Sequence, residues 1–475
     1  AAQAAPDATM ALRDLALAME ELPPADQERA RAFFARPTDP GGDDLDEDVI
    51  VEYLDGEGAP LCGDVICVHY ANGPDSDAPP STDDDDNGYP DVVDATLATA
   101  ESVHNTYRQA GYRRPDPDGM QGDDTDKIDV YLADTGEFGG LYGYCAADDW
   151  SDDPPKNRAA FCVIDEDFDA DQFPSHTSSE NRQVTLAHEY FHAVQFAYDF
   201  REDRWIMEAT ATWAEEQLYD AVDDNHQYLT DSQISTPWAP LDAYADFHHY
   251  GNWVFFEYLS QRWRTRQGPM PKIVLDVWKR MSGRPGAPDQ YSTQAIQHVL
   301  NQRNSSFTTV YGRFADGNRR PAKTYDEGGA SAYRPVRPLQ TRTLSRTKRS
   351  TPRWFLDLDH LTSDVVRLTP ARGLKRRDWK LRVKVDMPPA KSAPVARVAV
   401  YLKSGKVQSS AVKFKKRGFS SKVVGFSTRN VKYVELVVAN ASRRSRCGRG
   451  TVFACQGLPL DDQRRFRFNA SIFRS

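Results

Sequence analysis

The segment His188-Glu189-Tyr190-Phe191-His192 decides the fold that we predict for residues 49–330. A helix would place the two histidines on one face, one turn apart, where both imidazoles can hold a single metal ion. Glu189 lies beside them and could take a proton from a water molecule at that ion. The alternative is a buried helix whose histidines only form hydrogen bonds, because the motif also occurs by chance.

The sequence around the two histidines is typical of a helix. Apolar residues recur at helical spacing from Val184 to Val194, and Ser178 or Ser179 is a candidate N-cap. A catalytic zinc site needs a third protein ligand and one open position. Glu208 follows His192 after 15 residues and lies in an apolar stretch, where an unpaired carboxylate would be costly to bury.

Glu208 and its neighbours, added to the two histidines, resemble the gluzincin metallopeptidases, particularly their aminopeptidase-type branch. Trp205, Ala211 and Glu215 stand three residues before, three after and seven after Glu208, as they do in that branch. The resemblance implies a zincin-like domain in which Glu189 is the general base and Glu215 a supporting acid. It also implies that the zinc ligands are His188, His192 and Glu208.

The departures from that branch indicate which reaction to expect. The spacer between the two motifs is shorter, the Gly-x-Met-Glu-Asn motif that binds a substrate amine is absent, and Thr212 replaces the aspartate of the thermolysin branch. The sequence is also similar in layout to a group of secreted bacterial gluzincin-like proteins. We therefore expect a secreted endopeptidase that cleaves protein or peptide substrates through a water molecule activated by zinc.

Two other functions remain open at this stage. The chain could be a catalytically inactive zincin-fold protein that binds or adheres at a cell surface. It could also be a zinc hydrolase that acts on a non-peptide amide.

Peptide hydrolysis needs a second donor, besides zinc, to stabilise the oxyanion. His249 and Tyr250 lie before an amphipathic helix, and resembling enzymes use a Tyr or His in this region. The sequence does not choose between the two. Ordinary aromatic packing is the alternative.

Residues 83–94 follow the pattern of a twelve-residue calcium loop, with Gly88 at the sharp turn. A solvated acidic loop is the alternative interpretation. The predicted calcium ligands are Asp83, Asp85, Asn87, Tyr89, Asp91 and Asp94.

Six cysteines form three close pairs along the chain, which favours three short disulfide loops among fifteen possible connectivities. Disulfides indicate an oxidising compartment, and we expect a secreted, extracellular protein whose signal peptide has been removed. Six reduced core thiols are the alternative. The expected disulfides are Cys62–Cys67, Cys145–Cys162 and Cys447–Cys455.

The order of strands and then helices predicts an α+β fold. Residues 1–48 are expected to form a helical N-terminal segment, a possible remnant of a propeptide. Residues 49–330 would form the zincin-like domain, a small sheet followed by a helical part. After a linker at 330–350, residues 345–475 show short β-type runs that predict a β-sandwich.

Charge separates the two ends of the chain. Residues 331–475 contain 34 lysines and arginines but only 8 acidic residues, although the net charge of the whole chain is −11. Such a domain could bind an anionic cell-wall polymer or contact the acidic half of the chain. No aromatic-interleaved motif for specific nucleic-acid binding occurs, and no apolar run is long enough for a transmembrane segment.

Overall fold

The computed structural model describes residues 8–39, 51–53, 56–73, 77–119, 122, 126–148, 156–413 and 419–475. The ends of the expected N-terminal segment, residues 1–7 and 40–48, lie outside these ranges. The chain divides into two compact units, each formed by two stretches of sequence. Unit 1 comprises Ala1–Asn225 and Trp263–Tyr291, and unit 2 comprises His226–Arg262 and Ser292–Ser475.

The helices within the described ranges are α1 (Ala8–Ala18), α2 (Pro24–Ala32), α3 (Asp91–Gln109), α4 (Ser178–Phe196), α5 (Arg204–Tyr219), α6 (His248–Gly251), α7 (Trp253–Arg262), α8 (Lys272–Met281), α9 (Ser292–Gln302) and α10 (Phe307–Gly317). The strands of unit 1 are β1 (Leu61–Cys62), β2 (Ile66–Tyr70), β3 (Ile128–Ala133), β4 (Gly143–Ala147), β5 (Ala160–Asp165), β6 (Arg266–Gln267) and β7 (Met270–Pro271). The strands of unit 2 are β8 (Gln340–Leu344), β9 (Trp354–Leu358), β10 (Thr362–Pro370), β11 (Trp379–Asp386), β12 (Pro394–Leu402), β13 (Val407–Ala411), β14 (Phe419–Gly425), β15 (Val431–Asn440), β16 (Ser445–Arg446), β17 (Leu458–Pro459) and β18 (Arg464–Arg474).

Unit 1 is built on a five-stranded sheet in the order β1-β2-β3-β5-β4. The three central strands are parallel, and the edge strands β1 and β4 are antiparallel to their neighbours. Every residue of β2, β3 and β5 is buried, as expected for strands that are covered on both faces. Because β3 and β5 are parallel neighbours, their carboxyl ends lie side by side at one edge of the sheet.

Two long helices of unit 1, α4 and α5, pack against each other, and α4 also packs on β4 and β5. The N-cap of α4 is Thr177, one residue before the expected Ser178. The Thr177 hydroxyl accepts the Glu180 N–H, and the Glu180 carboxylate accepts the Thr177 N–H, so the two residues form a capping box. Most of α4 beyond Asn181 is buried, which fixes the faces of its polar side chains.

Unit 2 contains a five-stranded sheet, β13-β12-β15-β10-β8, and a four-stranded sheet, β14-β11-β18-β9. Buried side chains from both sheets form a single hydrophobic cluster. Helix α10 packs on β12 and β15. The approach is close at Gly312, where an added Cβ would lie 2.4 Å from a methyl carbon of Val395.

The mixed α/β character and the β-rich C-terminal region agree with the sequence predictions. The unit boundary differs from the one expected near residue 330, because residues 226–262 and 292–330 belong with the C-terminal strands. The expected linker at 330–350 also contains a strand, β8, which pairs in parallel with β10.

All three expected disulfides are present. Cys62–Cys67 joins directly paired residues of β1 and β2, and Cys145–Cys162 does the same for β4 and β5. Cys447–Cys455 closes a short loop in unit 2. None of the described helices combines the length and the apolar character needed to cross a lipid bilayer.

Candidate metal centre

The structure brings His188, His192 and Glu208 together in unit 1. The two Nε2 atoms of the histidines lie 3.1 Å apart, and each lies 3.2 Å from a different carboxylate oxygen of Glu208. His192 and Glu208 are 0% exposed. His188 is partly exposed, with 12% of its side chain accessible to solvent.

The outer nitrogens of both histidines have acceptors. His188 Nδ1 lies 2.6 Å from Glu215 Oε1, and His192 Nδ1 lies 2.8 Å from Gln195 Oε1. The Gln195 amide donates to the carbonyl of Met207 at 2.9 Å, so its oxygen must face His192. Both imidazoles are therefore held as Nδ1–H tautomers that direct an Nε2 lone pair inward.

The donor set fits zinc. When both imidazoles are neutral, their inward lone pairs lie 3.1 Å apart and repel each other, and a cation between them, a metal ion or a proton, removes the repulsion. Ligands at about 2.0–2.1 Å in a tetrahedral zinc site lie about 3.3–3.4 Å from one another. The observed separations of 3.1–3.2 Å are close to this spacing. Two imidazoles and one carboxylate match the protein ligands of a catalytic zinc site.

The pKa values of these side chains show how strongly they interact with one another. Burial by itself would lower the pKa of His188, but hydrogen bonds to Glu208 and Glu215 outweigh it and hold that pKa well above its usual value. Burial would raise the pKa of Glu208, yet His192 and His188 bring it well below its usual value. Burial raises the pKa of Glu215 to about 7, although His188 opposes this shift. The site therefore favours positive charge at its centre.

Glu215 is expected to act as a positioning residue for the metal. Replacing it with alanine removes the acceptor of the His188 Nδ1–H, and we expect zinc affinity to fall about 10–100-fold. Glu215→Gln keeps an acceptor oxygen and should lose less. Competition with a chromophoric zinc chelator measures both affinities, with the exposed Glu137→Gln as a control. Equal affinities in all the variants would contradict this role.

Glu189 is 8% exposed and is contacted by the N-terminal helix. The Thr9 hydroxyl of α1 donates to Glu189 Oε2 at 2.9 Å and accepts the Cys145 N–H at 2.9 Å. Cys145 belongs to the edge strand β4, so α1 joins the candidate base to the outer edge of the sheet. Met10, beside Thr9, is 0% exposed. The sequence carried no signal for this contact.

The candidate oxyanion residues lie in unit 2, on the short helix α6. The His249 ring stacks on Tyr244 at a centroid distance of 4.3 Å, and Tyr250 stacks on Tyr228 at 4.9 Å. Both rings therefore belong to an aromatic cluster. A role of either residue in stabilising an oxyanion stays a prediction.

The predicted calcium loop is partly assembled. Asp83, Asp85 and Asp91 each place one carboxylate oxygen within 4.8 Å of the others. The Asn87 side-chain amide donates to Asp85 at 3.2 Å and to Asp94 at 3.1 Å, and therefore lies between these two carboxylates.

Backbone donors complete the same loop. The Gly88 N–H donates to Asp83 at 2.9 Å, and the Tyr89 N–H donates to the Asn87 side-chain oxygen at 2.8 Å. Gly88 has a φ of +90°, a conformation that favours glycine. The turn has the form that the calcium pattern predicts, while calcium binding itself stays a prediction.

Basic side chains of the C-terminal region alternate with buried ones along β11 and β18. Arg382 and Lys384 of β11 and Arg465 and Arg467 of β18 are exposed on the outer face of the four-stranded sheet. This pattern fits a charged, solvated face. Binding of an anionic polymer there stays a prediction.

Comparisons with known proteins do not identify the chain. No family model and no curated protein matches it. Among solved structures, Pseudomonas aeruginosa AlgX aligns with 27% of this chain and 28% of its own length, at 12% identity and a TM-score of 0.17. A family GH115 4-O-methyl-α-glucuronidase aligns with 77% of this chain and 54% of its own, at 9% identity and a TM-score of 0.16. Neither likeness supports a statement about fold or activity.

Proposed function

We propose that the protein is a secreted zinc-dependent endopeptidase of the gluzincin type, with a zincin-like fold in unit 1 and a β-sandwich in its C-terminal region. The observation that carries the proposal is the convergence of three donor groups, two of which are imidazoles whose outer nitrogens are held by hydrogen bonds. Glu189 follows His188 on the same helix, as a general base requires. The three disulfides fit the extracellular location that we propose.

His188, His192 and Glu208 would hold the metal, and Glu215 and Gln195 would keep both imidazoles in the binding tautomer. When bound, zinc would supply a Lewis acid that polarises a carbonyl group and lowers the pKa of water. Glu189 would take a proton from the attacking water and return it to the leaving amine.

The edge strand β4 supports a peptide as the substrate. The Cys145 N–H donates to the Thr9 hydroxyl and not to the neighbouring strand β5. Strand β4 therefore presents backbone donors along the edge that no other described strand covers. An extended peptide can pair with such an edge. Because β4 packs on α4, that peptide would run beside Glu189.

With α1 in the position that the structure describes, the protein would be a latent enzyme whose active site is blocked. The Thr9 hydroxyl binds the Glu189 carboxylate, where the attacking water would bind. It also binds the Cys145 N–H at the outer edge of β4, where a substrate peptide would pair. Arg13 holds the helix by donating to the carbonyls of Phe200 and Glu202 at 2.8 and 2.7 Å. We therefore expect low activity in the full chain.

Metal analysis and a protease assay test the proposal together. We expect one zinc ion per chain and slow hydrolysis of fluorescent casein by the full chain. A chain that begins at Pro23 should hydrolyse casein faster, and a chelator such as 1,10-phenanthroline should stop both reactions. If neither chain cleaves casein or a peptide library with zinc bound, the inactive surface-binding protein is the better description.

A further inference from the structure

A second group of acidic side chains lies in unit 1, at the carboxyl ends of neighbouring parallel strands. Asp134 follows β3 directly, Asp165 is the last residue of β5, and Glu166 comes next. Strand register pairs Ala133 with Asp165, so the strand order itself brings the three carboxylates to one place. One oxygen of each lies within 4.8 Å of the others.

Asp165 and Glu166 are buried and Asp134 is partly buried, and the cation near them, Arg182 of α4, acts on Asp165 only at a distance. Asp165 is 0% exposed and Glu166 is 7% exposed. Within the part of the chain that the structure describes, none of the three forms an ion pair, and Glu166 Oε2 has no hydrogen-bond partner. Burial raises the pKa of Asp165 to about 7 and that of Glu166 to about 9. Keeping three such groups together is costly unless a cation joins them.

Hydrogen bonds explain the two aspartates in part but leave the glutamate unexplained. The Asp165 oxygens accept the N–H groups of Gly136 and Phe168 at 2.9 and 2.6 Å. Asp134 Oδ1 accepts from the Gln172 side chain at 2.7 Å. These bonds fix the directions of both carboxylates and leave lone pairs for a further partner, since a carboxylate has about four acceptor sites. One Glu166 oxygen belongs to the same group, and Glu166 Oε2 has lone pairs that no hydrogen bond uses.

We propose that Asp134, Asp165 and Glu166 bind a calcium ion that anchors the connection between β5 and α4. An all-oxygen, all-carboxylate set selects a hard cation. Oxygens that bind one Ca²⁺ at 2.3–2.6 Å lie at most about 5 Å apart, and the three oxygens lie within that reach. Mg²⁺ gives up its water reluctantly and is usually held by one or two carboxylates, so a set of three carboxylates favours Ca²⁺.

The position of this site links it to the helix that carries the two histidines. Phe168, which binds Asp165 through its N–H, accepts the Ser178 hydroxyl at the start of α4 through its carbonyl, at 3.1 Å. Asn181 of α4 donates to the carbonyl of Phe173 in the same connection. A cation at Asp165 and Glu166 would therefore fix the segment from which α4 begins. This inference does not depend on peptidase activity.

Calcium titration of the zinc-loaded full chain tests the proposal, after chelation has removed bound calcium. The double variant Asp83→Asn/Asp85→Asn removes the calcium loop at residues 83–94, so calorimetry with CaCl₂ should then report one remaining Ca²⁺. Adding Glu166→Gln to that background should weaken this binding at least about tenfold, because it removes one of three carboxylate ligands. Mg²⁺ should compete poorly. A double variant that binds no Ca²⁺, or an unchanged affinity after Glu166→Gln, would overturn the proposal.

Thermal unfolding separates a calcium ligand from a structural residue. Glu166→Gln is expected to raise the Tm of the calcium-free protein at neutral pH, because burial raises the pKa of Glu166 to about 9 and folding must therefore protonate it, a cost that glutamine does not have. The same change should abolish the rise in Tm that Ca²⁺ gives. Glu137→Gln, an exposed change in the turn after Asp134, should alter neither value. A Glu166→Gln variant that is less stable both with and without Ca²⁺ would show that Glu166 only supports the fold.

Discussion

Replacing Glu189 with glutamine is expected to lower kcat/KM for casein peptides by about 10²–10⁴-fold, the usual contribution of a general base. Zinc content should stay at the wild-type value, because Glu189 is not one of the three donors that converge at the site. Glutamine has the same shape and keeps an oxygen that can accept the Thr9 hydroxyl, so the packing of α1 should change little. The loss would therefore report the missing base and not a rearranged site.

The measurement needs the chain that begins at Pro23 as well as the full chain, so that low activity caused by α1 is not mistaken for the effect of the substitution. Glu137→Gln makes the same chemical change at an exposed position and should leave kcat/KM unaltered. Full activity of Glu189→Gln with zinc bound would rule out Glu189 as the base. Loss of zinc from this variant would instead place Glu189 among the metal ligands.

The candidate metal centre was predictable because its signals are local. The spacing of His188 and His192 is a property of one helix, and Glu208 was conspicuous as a carboxylate in an apolar stretch. Gln195, which the sequence analysis missed, lies three residues after His192 on the same helix face and could have been found by the same rule. The cap at Thr177 was also accessible, since Thr177 and Glu180 have capping-box spacing.

Contacts between distant segments were not predictable. Thr9 and Glu189 are 180 residues apart, and their meeting depends on how α1 packs against β4. Asp134 and Asp165 come together only after β3 and β5 are known to be parallel neighbours. No residue pattern fixes that pairing in advance, because both strands are buried on both faces and show no alternation.

The C-terminal strands show the same division between local and non-local signals. From Arg465 to Ile472, polar residues alternate with buried apolar ones, so β18 could have been predicted from its period of two. Strand β8 could not, because its first four residues are at least partly exposed and it lies at the edge of its sheet, where pairing with β10 rather than burial defines it. Edge strands therefore escape an analysis that depends on apolar patterns.

Removing residues 1–22 is expected to raise kcat/KM about tenfold or more. Burial of Met10 alone contributes roughly 1.5–3 kcal/mol to holding α1 in place, and about 1.4 kcal/mol corresponds to a tenfold change in an equilibrium. The truncated chain keeps Arg36, which forms buried ion pairs with Asp118 and Asp148 at 3.1 and 2.5 Å. The fold of unit 1 should therefore survive, which circular dichroism and zinc content can check.

A synthetic peptide of residues 1–22 provides the matched control for that truncation. Added to the chain that begins at Pro23, it should restore inhibition, because it returns the Thr9 hydroxyl to Glu189 and Met10 to its buried position. Peptides with Thr9→Val or Met10→Asp should inhibit less, the first by losing the hydrogen bond and the second by placing a charge in an apolar site. If the truncated chain is folded and zinc-loaded but no more active, and the peptide has no effect, α1 is a structural helix and the full chain already represents the working form.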